Sequence, residues 1–262
     1  MNAPDIASVY RERRPAVPHP LVACWWEQRV DGGAGAYVQR VLPDACADVI
    51  VSADGQATVV GPATSAQLAR LPGGERLRGL RFRTAAIGAA LGLPAREVRD
   101  LRVPLGDLFG AGEAARIADQ VWRGELPAFL DPRDLRVDRR VEHALSGLGG
   151  TVPSGVADVA AGLGLSERQL RRLVLAHTGL EPRMVRRVAR FQRFLTLADR
   201  AASCGLPDGT LAGLAARSGY ADQAHLSREV RSLSGLPPSA LLAERGGPYR
   251  GPAPATSRSS SP

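Results

Sequence analysis

The sequence predicts an α+β protein, with a small β-rich N-terminal domain followed by an all-α C-terminal domain. Three observations support this prediction: short β-rich runs separated by turns near the N-terminus, an internal repeat near the C-terminus, and a marked difference in charge between the two parts. The chain has 262 residues, of which 44% are apolar, so it is long enough to bury more than one hydrophobic core.

The N-terminal domain is expected to cover residues 1–110 and to form a cupin-like barrel or a sandwich. Asp54-Gly55 lies between two β-rich runs, and its glycine supplies the positive φ that a tight hairpin turn requires. Runs of β-branched and apolar residues predict strands at Tyr37–Leu42, Ala47–Ser52, Ala57–Val60 and Glu75–Phe82.

The pattern becomes helical after about Arg83. Apolar spacing predicts helices at Ala85–Leu91, Gly112–Arg123 and Arg133–Leu148, and the segment LGGTVPSG that follows is the clearest linker. We assign residues 111–152 to a helical connector and residues 153–247 to the all-α domain. Residues 248–262 are predicted to be a disordered tail, because the sequence GGPYRGPAPATSRSSSP cannot form a core.

Positive charge is concentrated in the C-terminal part. All 34 basic residues are arginine, and residues 152–262 hold 15 of them against 8 acidic residues. The first 151 residues hold 19 arginines against 18 acidic residues, so they are almost neutral. A basic domain joined to a neutral one indicates a polyanionic partner for the basic domain alone.

The N-terminal domain offers little material for catalysis. His19 is the only histidine in its sequence, so a histidine-rich metal site is not expected, and no known catalytic motif occurs in its required context. Asp44 and Asp48 flank Cys46 as the one compact polar group, which we interpret as turn chemistry beside a buried thiol. We also assign the aromatic residues Trp25, Trp26 and Phe82 to the core. We therefore expect no enzyme, no cofactor and no metal.

The C-terminal part repeats itself. VADVAAGLGLS, from Val156 to Ser166, matches LAGLAARSGYA, from Leu211 to Ala221, at a spacing of 55 residues, which becomes 56 after one extra turn residue. Each copy has a short helix, a glycine turn, an N-cap residue (Ser166 or Asp222) and a second amphipathic helix. That order predicts two helix-turn-helix units.

A long helix is expected between the two units. It should begin at Pro182, because proline suits the first turn of a helix, and continue to Ala201 with a wide apolar stripe. A helix of roughly 18 residues is about 27 Å long. It would hold the two units about one turn of DNA apart, which is roughly 34 Å.

The second helix of each unit presents polar side chains on its outward face. At 100° per residue, Leu170 and Val174 face inward in the first unit, and the arginines lie opposite them. In the second unit His225 lies beside the outward face, and we leave open whether it caps and packs or contacts DNA. The candidate DNA-contacting residues are Arg168, Gln169, Arg171, Arg172, Gln223, His225, Ser227 and Arg228.

This C-terminal domain resembles the DNA-binding domain of AraC/XylS-type transcription regulators. The resemblance is carried by VADVAAGLGLSERQLRRLVLAHTGLEPRMV, by the long helix containing Arg190, and by LAGLAARSGYADQAHLSREVRSLSGLPPSAL. Val230 departs from the family pattern, which commonly has phenylalanine there. The resemblance implies that the candidate residues of both second helices lie at or near DNA.

The N-terminal domain resembles the β-rich sensing domain that is attached to some AraC-like regulators. The segments VLPDACADVIV, VVGPAT and GLRFRTAAIGAALGLPAREVRDLRVPLGDL carry this resemblance. Related chains often have glycine near Cys46, and a Pro-Gly pair where this chain has Thr84-Ala85. The resemblance implies a cytoplasmic, nucleoid-associated bacterial regulator whose partner is double-stranded DNA. A small-molecule effector, a second copy of the chain and RNA polymerase are further partners that it allows; no membrane is expected.

The alternative function is an enzyme, such as a DNA-repair protein, that uses an AraC-like domain to reach DNA. Such a protein would need a reactive cysteine, and Cys24, Cys46 and Cys204 are scattered without metal-ligand spacing. Stoichiometric alkyl transfer to Cys24 or Cys46 would distinguish this alternative from a regulator.

Overall fold

A computed structural model describes residues 8–33, 35–131, 135–150, 154–204 and 210–246 of the chain. The predicted tail at residues 248–262, the centre of the predicted linker and the side chain of Cys204 lie outside the described residues.

The N-terminal domain is built from two antiparallel sheets. A six-stranded sheet has the order β1-β2-β7-β4-β5-β8, and β3 pairs with β6 in a second sheet. The strands of the described residues are β1 (Ser8–Arg13), β2 (Val22–Val30), β3 (Ala36–Val41), β4 (Ala47–Ser52), β5 (Ala57–Val60), β6 (Gln67–Pro72), β7 (Arg76–Phe82) and β8 (Arg102–Pro104).

The two sheets face each other as a sandwich. Buried Gln28 on β2 donates from Nε2 to Oε1 of buried Gln39 on β3 over 2.7 Å, which ties one sheet to the other. Among the described strands no backbone ladder joins the two sheets, so they do not close into a barrel.

Four strands lie where the sequence predicts them, and β4 pairs with β5 through the expected hairpin turn. The sequence did not predict β1, β2, β6 or β8. β1 is a charged edge strand with mostly exposed side chains, and in β6 no residue is fully buried. Neither therefore shows the contrast between an apolar and a polar face on which strand prediction depends.

The described helices are α1 (Ile87–Leu91), α2 (Leu105–Phe109), α3 (Ala111–Arg123), α4 (Arg139–Gly149), α5 (Val156–Gly162), α6 (Glu167–Thr178), α7 (Pro182–Cys204), α8 (Leu211–Ser218), α9 (Gln223–Ser234) and α10 (Pro238–Gly246). Short 3₁₀ turns at Thr84–Ala86 and Ala95–Glu97 flank α1. Among these helices, none combines the length and the apolar character that crossing a membrane requires.

The prediction that a helix starts at Arg133 is wrong in its boundary. α4 begins at Arg139, because the Asp138 carboxylate accepts a hydrogen bond from the backbone nitrogen of Arg140 and caps the helix there. Leu135 and Val137, which the prediction placed on this helix, instead pack against the N-terminal core in a segment without regular secondary structure.

The two predicted connector helices pack on different cores. α3 places Ile117 and Val121 against the six-stranded sheet, together with α1 and α2. α4 instead places Ala144 and Leu148 in the core of the first helical unit, α5–α6. The connector is therefore shared between the two domains.

Helix α7 joins two separate cores in the C-terminal domain. Its first half packs Val185 and Val188 against the first unit, and its second half packs Phe191 and Phe194 against the second unit, α8–α9. α7 has 23 residues, so it is longer than predicted and spans about 34 Å.

Several arginines of α7 hold the helical domain together. Arg187 pairs with Glu229 of α9 at 3.0 Å, and the Arg190 guanidinium lies over the Tyr220 ring, 5.3 Å from its centre. Arg193 donates to the carbonyl oxygens of Gly149, Gly150 and Ser218, at the C-terminal ends of α4 and α8. A cation that satisfies unpaired carbonyls at two helix ends stabilises both of them.

We predict that Arg193→Met lowers the free energy of unfolding by about 2 kcal/mol, because methionine keeps the aliphatic packing and removes charged hydrogen bonds to helix ends. Urea unfolding followed by circular dichroism measures this change. Arg183→Met, at an exposed position of the same helix, is the matched control and should change stability little. Equal effects of the two substitutions would contradict the assignment.

Candidate nucleic-acid interface and internal cavity

Local sequence fixes where α6 begins and ends. The Ser166 hydroxyl accepts from the Gln169 backbone nitrogen, and the Gln169 side-chain oxygen accepts from the Ser166 backbone nitrogen at 2.8 Å, which completes a capping box. The helix ends at Gly179, which has a φ of 73°. Ser166 lies at the N-cap of α6, the position where the sequence predicts it.

The outward face of α6 carries the predicted arginines. Leu170 and Val174 are buried, whereas Arg168, Arg171 and Arg172 are exposed on the opposite side. Within the described part of the chain, Arg168 and Arg172 have no hydrogen-bond or ion-pair partner. Two cations are therefore free at the N-terminal half of this helix, where backbone amides also favour an anion.

Arg171 is held by an acidic partner. Its Nε and Nη2 donate to the two carboxylate oxygens of Glu181 at 2.6 and 3.0 Å. This pair occupies one edge of the guanidinium and leaves Nη1 and the second proton of Nη2 as an unused fork. That fork matches the spacing of O6 and N7 on guanine.

Gln169 serves the helix cap first. Its side-chain oxygen accepts from both the backbone nitrogen and the hydroxyl of Ser166, so only its amide nitrogen is available for contact with another molecule. The sequence placed Gln169 among the DNA-contacting residues without this constraint.

Helix α9 resembles α6 in having a capped N-terminus and exposed polar side chains, but it carries fewer arginines on that face. The Asp222 carboxylate caps the helix by accepting from the His225 backbone nitrogen at 2.6 Å, as predicted. Gln223 and Arg228 are exposed and Ser227 is half-buried. The His225 ring accepts from the Ala221 backbone nitrogen and packs edge-on against Tyr220, with ring centres 5.3 Å apart.

A cavity of about 1650 Å³, partly open to solvent, lies between the two sheets and the helical domain. Its walls come from the inner faces of both sheets and from α7 and α10. Cavities that hold small molecules are usually of ~300–1,000 Å³. This one is large enough for such a molecule and its accompanying water.

One side of the cavity is formed by a cluster of charged and aromatic side chains, which we call the polar floor: Glu12, Trp26, Asp44, Asp48 and Arg81. Its centre is Arg81, which is 12% exposed and lies 3.2 Å from Glu12, 3.6 Å from Asp44 and 3.0 Å from Asp48. The Trp26 indole nitrogen donates to Asp48 at 2.7 Å.

Strand pairing, not sequence proximity, assembles the polar floor. Asp48 on β4 lies directly opposite Arg81 on β7, and Glu12 on β1 lies opposite Trp26 on β2. The sequence identified Asp44 and Asp48 as a polar group, and Asp44 does make the expected turn by accepting from the Cys46 nitrogen at 2.9 Å. It missed Glu12 and Arg81, because the register of these strands was not predicted.

Burial controls ionisation in the polar floor. It raises the pKa of both Asp48 and Glu12, and the Arg81 guanidinium opposes that rise. Burial also raises the pKa of Cys24 to about 12 and that of Cys46 well above its usual range. A nucleophilic thiolate needs a lowered pKa, so neither environment supports the alkyl-accepting alternative.

The described residues contain no cluster of histidine, cysteine and acidic side chains suited to a metal ion. The His19 Nδ1 accepts from the backbone nitrogens of both Leu21 and Val22, so this ring stabilises the turn before β2.

Two family models match parts of the chain. Residues 159–244 match a model described as a helix-turn-helix domain, and residues 15–104 match a domain of unknown function, DUF6597. No curated protein matches the chain.

Among solved structures, the chain is similar to ToxT of Vibrio cholerae. An apo form of ToxT has 14% identity, covers 92% of this chain and 98% of that chain, and gives a TM-score of 0.41. ToxT with a bound unsaturated fatty acid has 13% identity, covers 90% and 94% of the two chains, and gives a TM-score of 0.38.

We predict that Arg81→Met destabilises the protein more at high pH than at low pH. Without Arg81 the pKa values of Asp48 and Glu12 in the folded state rise further, so the folded protein retains protons that the unfolded chain releases. The free energy of unfolding of the variant is therefore closest to that of wild type below the pKa values that these carboxyl groups have in the unfolded chain. It falls as pH rises from there through their pKa values in the folded protein.

Urea unfolding at about pH 5 and pH 8 tests this. Removing one partner of a buried ion pair costs about 3–5 kcal/mol, and we expect a loss of that size at the higher pH and a smaller loss at the lower pH, which lies just above the unfolded pKa values. Arg76→Met, at an exposed position of the same strand, is the control. Equal losses at both pH values would show that the polar floor is not protonated in the variant.

Proposed function

We propose that this chain, a DNA-binding transcription regulator whose C-terminal region is an AraC-type helix-turn-helix domain, reads two successive major-groove segments with α6 and α9. The observation that carries this proposal is the relation between the two helices. Each has a capped N-terminus with exposed polar side chains, and the two units are fixed along one helix of 23 residues. This helix is about 34 Å long, which is enough to carry two units that contact successive turns of B-DNA.

The three arginines of α6 fall into two groups, according to whether another residue of the protein holds them. Arg168 and Arg172 have no partners within the described residues and suit phosphate oxygens, whereas Arg171 is oriented by Glu181 and suits a guanine. The side-chain amide nitrogen of Gln169, at the N-terminus of α6, is proposed to donate a hydrogen bond to a DNA phosphate.

The proposed contacts on α9 include one arginine, whereas those on α6 include three. Gln223 suits adenine and Arg228 suits guanine or phosphate, and both are exposed. Ser227 and His225 lie beside them, with the His225 Nδ1 already occupied by the backbone. This leaves the opposite edge of the imidazole ring for DNA.

We further propose that the N-terminal domain binds a small-molecule effector in the cavity. The size of the cavity supports this, as does its lining, which combines apolar side chains with the convergent charged groups of the polar floor. We keep residues 1–110 as the sensing domain, 111–152 as the connector and 153–247 as the DNA-binding domain. Bacterial cytoplasm and nucleoid, a second copy of the chain and RNA polymerase remain the proposed setting and partners.

The direct test is selection of bound fragments from a library of randomised duplex DNA with the full-length protein. We predict a site with two conserved parts whose centres are about 10 base pairs apart, because each unit reads one groove segment. A single short motif, or no enrichment over the starting library, would contradict reading by two units.

We predict that Arg171→Ala weakens binding to the selected site about tenfold and broadens base preference at one position, because one bidentate contact is lost. A mobility-shift titration at fixed salt measures the affinity. Arg116→Ala removes the same charge from an exposed, ion-paired position on α3 and serves as the control. Equal affinity of Arg171→Ala and the control, with unchanged base preference, would contradict the proposed contact.

A further inference from the structure

Three segments of the N-terminal domain contact the helical domain. They are the β3–β4 loop, residues 42–46; the β5–β6 loop, residues 61–66; and the region around α1, residues 84–97. These segments include the parts of VLPDACADVIV, VVGPAT and RFRTAAIGAALGLPAREV that lie outside the sheets. The first two loops each contact both helical units.

The β5–β6 loop bridges equivalent points of the two units. At one end Pro62 packs at Gly179, where an added Cβ would lie 2.8 Å from the proline Cγ and 2.7 Å from the Ala95 carbonyl oxygen. At the other end the Ala66 backbone nitrogen donates to the Leu233 carbonyl oxygen at 2.7 Å. Gly179 ends α6 and Leu233 lies in the last turn of α9. One short loop therefore contacts the C-terminal ends of both α6 and α9, which we call the reading helices because they are the proposed DNA-contacting helices.

Asp100 makes this loop rigid. Its backbone nitrogen donates to the Pro62 carbonyl oxygen at 3.1 Å, and its carboxylate accepts from the backbone nitrogen of Thr64 at 2.6 Å and from the Thr64 hydroxyl at 2.9 Å. Asp100 adopts a φ of 60°, which is uncommon outside glycine. Asp100 therefore bonds both ends of the three-residue segment from Pro62 to Thr64 and restrains its shape.

The β3–β4 loop makes a second bridge. Leu42 packs against the core of the second unit, and Ala45 is buried in the core of the first unit. Between them, the Pro43 carbonyl oxygen accepts from Nε2 of Gln192 on α7 at 2.6 Å. Arg40, just before this loop, donates to the Ser234 carbonyl oxygen at 3.0 Å and pairs with Glu244 of α10.

Helix α7 alone does not define the relative placement of the two units. A long helix sets their separation along its axis, but helices bend, and each unit packs on a different half of it. The β5–β6 loop contacts the C-terminal ends of α6 and α9, away from their exposed N-termini, and the β3–β4 loop contacts the cores of both units and α7. A bridge across both units restrains the bending that α7 permits.

We propose that the N-terminal domain is a spacing clamp: through the β5–β6 and β3–β4 loops it fixes the distance between the two reading helices and so sets the spacing of the DNA half-sites that the protein accepts. Asp100 is a positioning residue in this clamp. The inference rests on the proposed reading of DNA by both units, but goes beyond it, because two flexibly linked units would also bind DNA and would tolerate several spacings.

The test compares Asp100→Gly with Asp100→Asn in the full-length protein. Glycine adopts the positive φ and loses the carboxylate, whereas asparagine tolerates the same φ and keeps an oxygen that accepts from the Thr64 nitrogen. Each variant selects from the same library of randomised duplex DNA, and the distribution of spacings between the two conserved parts is counted.

We expect one dominant spacing for wild type and for Asp100→Asn, and the same two half-site motifs with several spacings for Asp100→Gly. On duplexes with one inserted base pair, wild type should bind about tenfold more weakly than on the selected spacing, the size of effect that a mismatched pair produces. Asp100→Gly should lose most of that difference. A merely structural role of Asp100 would lower affinity for all spacings alike.

A folded Asp100→Gly that keeps the single wild-type spacing would overturn the clamp. If thermal unfolding shows that this variant does not fold, Arg40→Met, which removes the contacts to Ser234 and Glu244, takes its place with the same two outcomes. Wild type that selects no two-part site would instead overturn the proposed function, so the two failures are distinguishable.

Discussion

The packing of helix α7 into two separate cores is the constraint on which the rest of the structure depends. Val185 and Val188 belong to one core, Phe191 and Phe194 to the other, and helices α6 and α9 contribute to these cores in turn. Net charge alone would suggest that the arginines of α7 contact DNA, but three of them stabilise this packing instead. Arg187 pairs with Glu229, Arg190 lies over the Tyr220 ring, and Arg193 donates to carbonyl oxygens at helix ends. Positive charge in this domain therefore serves two purposes, and only local contacts distinguish them.

The cavity and the DNA-binding domain are joined by consecutive residues. Asp44 contributes to the polar floor through its ion pair with Arg81, and the next residue, Ala45, is buried in the core of the first unit. An effector that competes for Arg81 would act on the same short loop that lies against α7. A single peptide bond, between Asp44 and Ala45, therefore links the polar floor to the core of the first helical unit.

The C-terminal domain could be predicted from the sequence, and the N-terminal site could not. An internal repeat, N-caps at Ser166 and Asp222 and an unbroken apolar stripe are local signals, and they fixed the two units and α7 to within a few residues. The polar floor depends on Glu12 and on the pairing that places Asp48 opposite Arg81. The strand that carries Glu12 was not predicted, because its side chains are mostly exposed, and the predicted strands β4 and β7 gave no indication of their register. Partners of single side chains were equally hidden: nothing in LSERQLRRLVLAHTGLEP indicates that Glu181 binds Arg171 while Arg168 stays free.

The central claim is that one chain reads DNA with two units held one helical turn apart. Hydroxyl-radical footprinting of the full-length protein on a single selected DNA fragment tests it most directly, because cleavage reports backbone contact at single-nucleotide resolution. The account predicts two protected patches on one face of the duplex, with centres about 10 base pairs apart and an accessible stretch between them. One continuous or single short patch, of the width that one helix-turn-helix unit covers, would contradict it.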